Sequence, residues 1–69
     1  MDITAFNVKD NISLLDTLFL KDDVLYASGE IYVMNGRIDY GHKIFDGNKK
    51  YLGIISRNDF PKSKLEEIS

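Results

Sequence analysis

Ile31-Tyr32-Val33-Met34-Asn35-Gly36-Arg37-Ile38-Asp39-Tyr40 is the stretch whose reading decides the fold. Two runs rich in β-branched and aromatic residues flank Asn35-Gly36, a dipeptide that tolerates positive φ at both central positions of a type I′ turn. A two-residue loop sets the register. It predicts Met34 opposite Arg37, Val33 opposite Ile38, Tyr32 opposite Asp39 and Ile31 opposite Tyr40. Continued outward, it places Ala27 opposite Ile44 and Tyr26 opposite Phe45. One face then collects Ala27, Ile31, Val33, Ile38, Tyr40 and Ile44, with Gly29 and His42 between them. The other collects Ser28, Glu30, Tyr32, Met34, Arg37, Asp39 and Lys43. A slip of one residue would mix the sets, so their separation argues for a core face and a wet face.

Outward from the hairpin, turn signals recur at regular intervals. Ile3–Val8 closes at Lys9-Asp10-Asn11, Ile12–Leu20 at Lys21-Asp22-Asp23, Arg37–Phe45 at Asp46-Gly47-Asn48-Lys49, and Tyr51–Ser56 at Arg57-Asn58-Asp59. Segments of this length divided by Asn, Asp, Gly and Lys are the pattern of an antiparallel meander. Tyr51-Leu52-Gly53-Ile54-Ile55 does not alternate, which predicts a central strand buried on both faces, with Ile3–Val8 as its natural neighbour. Residues 12–20 read first as strand. A helix capped by Asn11, with Ile12, Leu15, Leu18 and Phe19 as its stripe, is the alternative. Asp59 or Phe60 before Pro61 predicts a short C-terminal helix over Lys62–Ile68.

The expected fold is therefore mainly β. It is a small antiparallel meander of four to five strands, curled or barrel-like, with a short C-terminal helix, in a single small domain over residues 1–69. The alternative is α+β, with residues 12–20 helical across a three- or four-stranded sheet. Gly29, Gly41 and Gly53 suggest bulges or bends of the kind that close a small barrel. The expected core is Ile31, Val33, Ile38, Ile44, Leu52, Ile54 and Ile55.

Composition narrows the function classes. The 69 residues are 43% hydrophobic and 29% charged, an ordinary globular mixture. No apolar run exceeds four residues, far short of the roughly 18 needed for a membrane span. Met1-Asp2-Ile3-Thr4 does not read as a signal peptide, so the expected location is cytoplasmic, with no membrane partner. The absence of cysteine excludes disulfides, thiolate zinc sites and cysteine nucleophiles. Seven lysines against two arginines, with many Ile, Asn and Tyr, fit an AT-rich coding sequence such as that of a low-GC bacterium, its phage or a mobile element.

No catalytic motif emerges, and the chain reads as a non-enzyme without cofactor or metal. His42, the only histidine, lies opposite Gly29 in the predicted register and reads as a core-edge residue satisfied by backbone. Asp39 is on the other strand face, so it cannot pair with His42 as acid and base. Ser28 and Lys43 are cross-strand neighbours on the wet face, where a lysine is not desolvated enough to activate a serine. Asp10, Asp22, Asp23 and Asp46 sit in turn signatures, without the spaced carboxylates of a calcium loop. Charge is unevenly placed. Residues 1–36 carry Lys9 and Lys21 against six carboxylates, whereas residues 37–57 carry Arg37, Lys43, Lys49, Lys50 and Arg57 against two.

One stretch resembles a known family. Phe45-Asp46-Gly47, Tyr51–Ser56 and Asp59-Phe60 are similar to the closing strand–turn–strand of a cystathionine-β-synthase-type nucleotide-sensing domain. The likeness covers about 16 residues; the helix and the proline-containing strand that precede this part in the family are missing. It would imply Ser56 and Asp59 near the phosphate and ribose of an adenine nucleotide, and domains acting in pairs.

The functional expectation is non-catalytic protein binding, as a small accessory or regulatory factor, through Tyr26, Tyr32, Met34, Arg37 and Lys43 on the wet hairpin face. Unpaired sheet edges and a small core predict self-association as a homodimer, or an obligate partner on the same surface. In the symmetric pair, the acidic region would meet the basic one. The alternative is a nucleic-acid-binding barrel using Arg37, Lys43, Lys49, Lys50 and Tyr51, with phosphates on cations and bases on rings.

Overall fold

In the computed structural model the chain is mainly β, an antiparallel meander with a short helical segment near its C-terminus. Residues 2–34 and 38–68 are described, with side chains described outside 32–39. The strands are β1 (Ile3–Val8), β2 (Ile12–Leu14), β3 (Thr17–Phe19), β4 (Val24–Ser28), β5 (Ile31–Met34), β6 (Ile38–Phe45), β7 (Tyr51–Ser56) and β8 (Leu65–Glu67). β4 and β5 follow one another along one edge of β6, while β7 pairs with the other edge. β1 lies beyond β4, and β8 beyond β1. The sheet is not closed into a barrel.

The expected register holds at the far end of the hairpin and fails near its tip. Tyr26 opposes Phe45 and Ala27 opposes Ile44. Beyond them, Ile31 opposes Gly41, Tyr32 opposes Tyr40, Val33 opposes Asp39 and Met34 opposes Ile38, one residue away from expectation. The slip arises at Ser28-Gly29-Glu30. Three residues there face two on β6, a bulge between β4 and β5. The connection is accordingly residues 35–37 rather than two residues, and the Asn35-Gly36 turn lies outside the described residues.

The bulge leaves ladder groups to be satisfied locally. The Ser28 hydroxyl accepts the Lys43 backbone N–H at 2.8 Å, and His42 Nδ1 donates to the Ser28 carbonyl oxygen at 3.0 Å. Ser28 is 3% exposed, so its expected place on a wet face is corrected. Buried polar groups must be paired, and the Ser28 hydroxyl is held against the β6 backbone, where it replaces a missing ladder bond.

Residues 12–20 form a hairpin of their own, β2–β3, with Ile12 opposite Phe19 and Leu14 opposite Thr17. Its two-residue turn is Leu15-Asp16, at φ +50° and +60°. These are the positive values of a type I′ turn, reached without Asn-Gly. The hairpin folds over one face of the sheet. Ile12 and Phe19 join Val8, Leu25, Ala27, Ile44 and Leu65 in the buried core, flanked by half-buried Phe6, Leu14, Leu52, Ile55 and Phe60. At its tip, the Leu15 methyls reach Gly53 on β7.

The core therefore differs from the one expected. Ile44 is fully buried, Ile31, Leu52 and Ile55 are half-buried, and Ile54 is 39% exposed. Val33 and Ile38 fall among the side chains that are not described. Among the described residues β7 pairs with β6 alone, and β1 pairs with β4 and β8 instead. The non-alternating run in β7 comes from a bulge rather than from burial on both faces. Phe45 opposes Tyr51 and Ile44 opposes Gly53, so Leu52 is the extra residue and still turns inward. The C-terminal segment makes 3-10 turns at Arg57–Asp59 and Lys62–Lys64. It stops short of the expected Ile68, because Leu65 enters the core as β8 pairs with β1.

Candidate functional site

Strand alternation divides the sheet into two unlike faces. Phe6, Val8, Leu25, Ala27, Ile44 and Leu65 point inward, under the β2–β3 hairpin and Phe60. Ile3, Tyr26, Lys43, Phe45, Tyr51 and Ile54 fall on the outer face, by the pairing of Ile3 with Ser28, Tyr26 with Phe45, Phe45 with Tyr51 and Lys43 with Ile54. No described element lies across this outer face in the way the hairpin lies across the inner one.

The outer face has a defined centre. The rings of Phe45 and Tyr51 lie 5.5 Å apart at 56°. Lys49 arches back from the β6–β7 turn, its Nζ 5.2 Å from the centre of the Tyr26 ring. The turn that places Lys49 is tied by Asp46, whose Oδ1 accepts the N–H groups of Asn48 and Lys50 at 2.8 and 2.9 Å. Tyr51 is 51% exposed, and Ile3 and Ile54 are exposed beside the cluster. Cross-strand aromatic neighbours and a cation over a ring give a rigid amphipathic patch.

Of the residues expected to bind a protein, Tyr26 and Lys43 share this face; Tyr32, Met34 and Arg37 lie outside the described side chains. Of those expected to bind nucleic acid, Lys43, Lys49, Lys50 and Tyr51 come from the same two strands and the turn between them, while Arg37 is not described. The charge asymmetry is partly internal. Arg57 pairs with Glu30 at 3.2 Å, and Lys64 lies 4.0 Å from Asp10.

The inner face opens at its other end into a cleft of about 280 Å³. Phe6, His42 and Phe60 wall it, with Glu30, Arg57, Lys62 and Glu67 around the mouth. Phe60 stacks on His42, ring centres 4.3 Å apart at 26°, and meets Phe6 edge-on at 5.8 Å. Arg57 sits 5.2 Å from the Tyr40 ring. His42 is thus satisfied by backbone, as its place near the core edge implied. Its stacking on Phe60 was not legible, because the two are far apart in sequence and meet only when the 3-10 segment folds back.

Groups that could suggest chemistry are engaged structurally. Ser28 Oγ meets the backbone amide of Lys43, and Ser56 Oγ accepts the Asp59 N–H at 3.3 Å as a cap. Asp10 and Asp23 hold turns through the N–H groups of Asn11 and Leu20. Among the described residues no cluster of His, Asp or Glu could hold a metal ion. No helix among them is long and apolar enough to cross a membrane. The fold defines a small antiparallel β meander with one covered and one uncovered face. No protein family, curated protein or solved structure matches the chain.

Proposed function

We propose that this is a non-catalytic binding module, an accessory or regulatory factor that takes another protein on the outer face of its sheet. The uncovered patch of Tyr26, Phe45, Tyr51 and Lys49 carries the reading. Tyrosine and phenylalanine offer large, stiff contact area, and exposed Ile3 and Ile54 extend it. The edges support a protein partner. β7 is six residues long, carries no charge and, among the described residues, has a ladder partner on one side only, whereas β8 is three residues long and bears Glu66 and Glu67. Short, charged edges resist strand addition, and β7 lacks that protection.

Nucleic acid is the weaker reading of the same patch. Single-strand binders stack bases on open ring faces along a track of cations. Here Lys49 covers the Tyr26 ring, and Phe45 and Tyr51 tilt against each other. The net charge is −2.

A photo-crosslinking residue at Tyr51, compared with one at Leu18 on the exposed side of the β2–β3 hairpin, tests the proposal in host cells. A discrete protein adduct from position 51 and none from position 18 is expected. Nuclease-sensitive adducts at 51 would favour nucleic acid, and equal labelling from both positions would refute a specific face.

A further inference from the structure

We propose that the cleft beside His42 binds a small planar aromatic molecule bearing an N–H or O–H donor, of the chemical class of an indole or a purine base. This site lies on the opposite side of the sheet from the outer patch and does not depend on it.

The tautomer of His42 is the first observation. A carbonyl oxygen can only accept, so the 3.0 Å contact with Ser28 places the proton on Nδ1 of the neutral ring. Nε2 then carries a lone pair. It has no hydrogen-bond partner among the described residues, and it is not a buried unsatisfied atom, so solvent reaches it. The bulge that diverts Ser28 is what fixes this polarity. A regular ladder would have used the Ser28 carbonyl for a backbone amide, leaving the imidazole free to turn.

The walls are the second observation. Phe60 holds one face of the imidazole and Phe6 stands edge-on to Phe60, so the cleft is lined by rings in fixed relative orientation. A flat guest gains offset or edge-to-face contact with both phenylalanines while its donor meets Nε2. The volume of about 280 Å³ is near the lower end of ligand-sized cavities, roughly 300 Å³, which suits one or two fused rings. The mouth selects a neutral guest. Arg57 is already paired with Glu30, and Lys62 and Glu67 offer opposite charges.

The full chain has no tryptophan, so the emission of an added indole is read without a competing indole signal. The probes are indole and 1-methylindole, which share shape and differ in the N–H. Saturable binding of indole is expected, with NMR shifts at Phe6, His42 and Phe60. A hydrogen bond of ordinary strength corresponds to roughly five-fold tighter binding of indole than of 1-methylindole. His42→Phe keeps a flat ring beside Phe60 and removes the acceptor, so it should abolish that preference. If this variant does not fold, the comparison of the two probes on the native chain still decides. Absence of saturable binding, equal affinity for the two probes, or shifts confined to Tyr26, Phe45 and Tyr51 would each overturn the assignment. None of these outcomes bears on the crosslinking at Tyr51, so the two proposals fail separately.

Discussion

Gly53→Ala probes the junction between the covering hairpin and the sheet. Gly53 has φ +148°, a backbone conformation that L side chains rarely adopt. A Cβ built there would lie 3.2 Å and 3.3 Å from the two Leu15 methyls. Two costs follow. Holding alanine in a sparsely populated region costs about 1–3 kcal/mol. Displacing the methyls adds a smaller cost, because the end of a leucine side chain can move by the few tenths of an ångström needed and Leu15 is only partly enclosed. A core of this size supplies only about 3–5 kcal/mol net, so the variant should lose a large part of its stability. About 1 kcal/mol shifts Tm by roughly 4–8 °C in a domain of this size, so a fall of at least that much is expected in thermal melts followed by circular dichroism. Leu15→Ala in the Gly53→Ala background separates the two costs. If the backbone dominates, the coupling energy in the double-mutant cycle stays below about 0.5 kcal/mol. A Gly53→Ala protein that melts with the native one would refute the claim that β7 needs glycine here. Full rescue by Leu15→Ala would show that crowding, rather than φ, sets the cost.

Three further substitutions test the rest of the framework. Leu25→Ala removes a fully buried side chain and should cost about 2–5 kcal/mol, enough to unfold most of the population in urea titrations. Ile54→Ala, on the exposed side of an edge strand, should cost under about 1 kcal/mol by the same measurement; a large loss would mean that β7 is covered on both faces. Ser28→Ala strips the acceptor from the Lys43 amide within the bulge and should cost about 1–3 kcal/mol, with faster hydrogen exchange at that amide.

The meander and the bounds of Ile3–Val8 and Tyr51–Ser56 were legible because they rest on short-range rules. Asp46-Gly47-Asn48 closes its turn with its own carboxylate, and Ile38–Phe45 and Tyr51–Ser56 flank it as strands. Tyr26 opposite Phe45 and Ala27 opposite Ile44 were predicted correctly because the bulge at Ser28–Glu30 and the extra residue in the connection compensate each other. The same compensation hid the slip nearer the tip. A bulge is one residue of backbone, and its reward, the Ser28–Lys43 and His42–Ser28 hydrogen bonds, exists only once the strands are side by side.

The candidate sites divide in the same way. Tyr26, Lys43 and Tyr51 could be named from the chain because strand alternation puts them on one face, and Lys49 because a nearby turn carries it there. Cystine and thiolate chemistry were excluded by composition alone. The cover over the inner face could not be read, because Ile12–Leu20 carries both a helical stripe and a strand pattern. What settles it is burial. As a hairpin it lays Ile12 and Phe19 on Leu25 and Ile44 and seats Leu15 against Gly53, contacts that hold Leu15 and Asp16 at positive φ against their local preference. Phe60 likewise reaches His42 only through the return of Leu65 to β1, since long-range burial outweighs the weak helical propensity of the last residues.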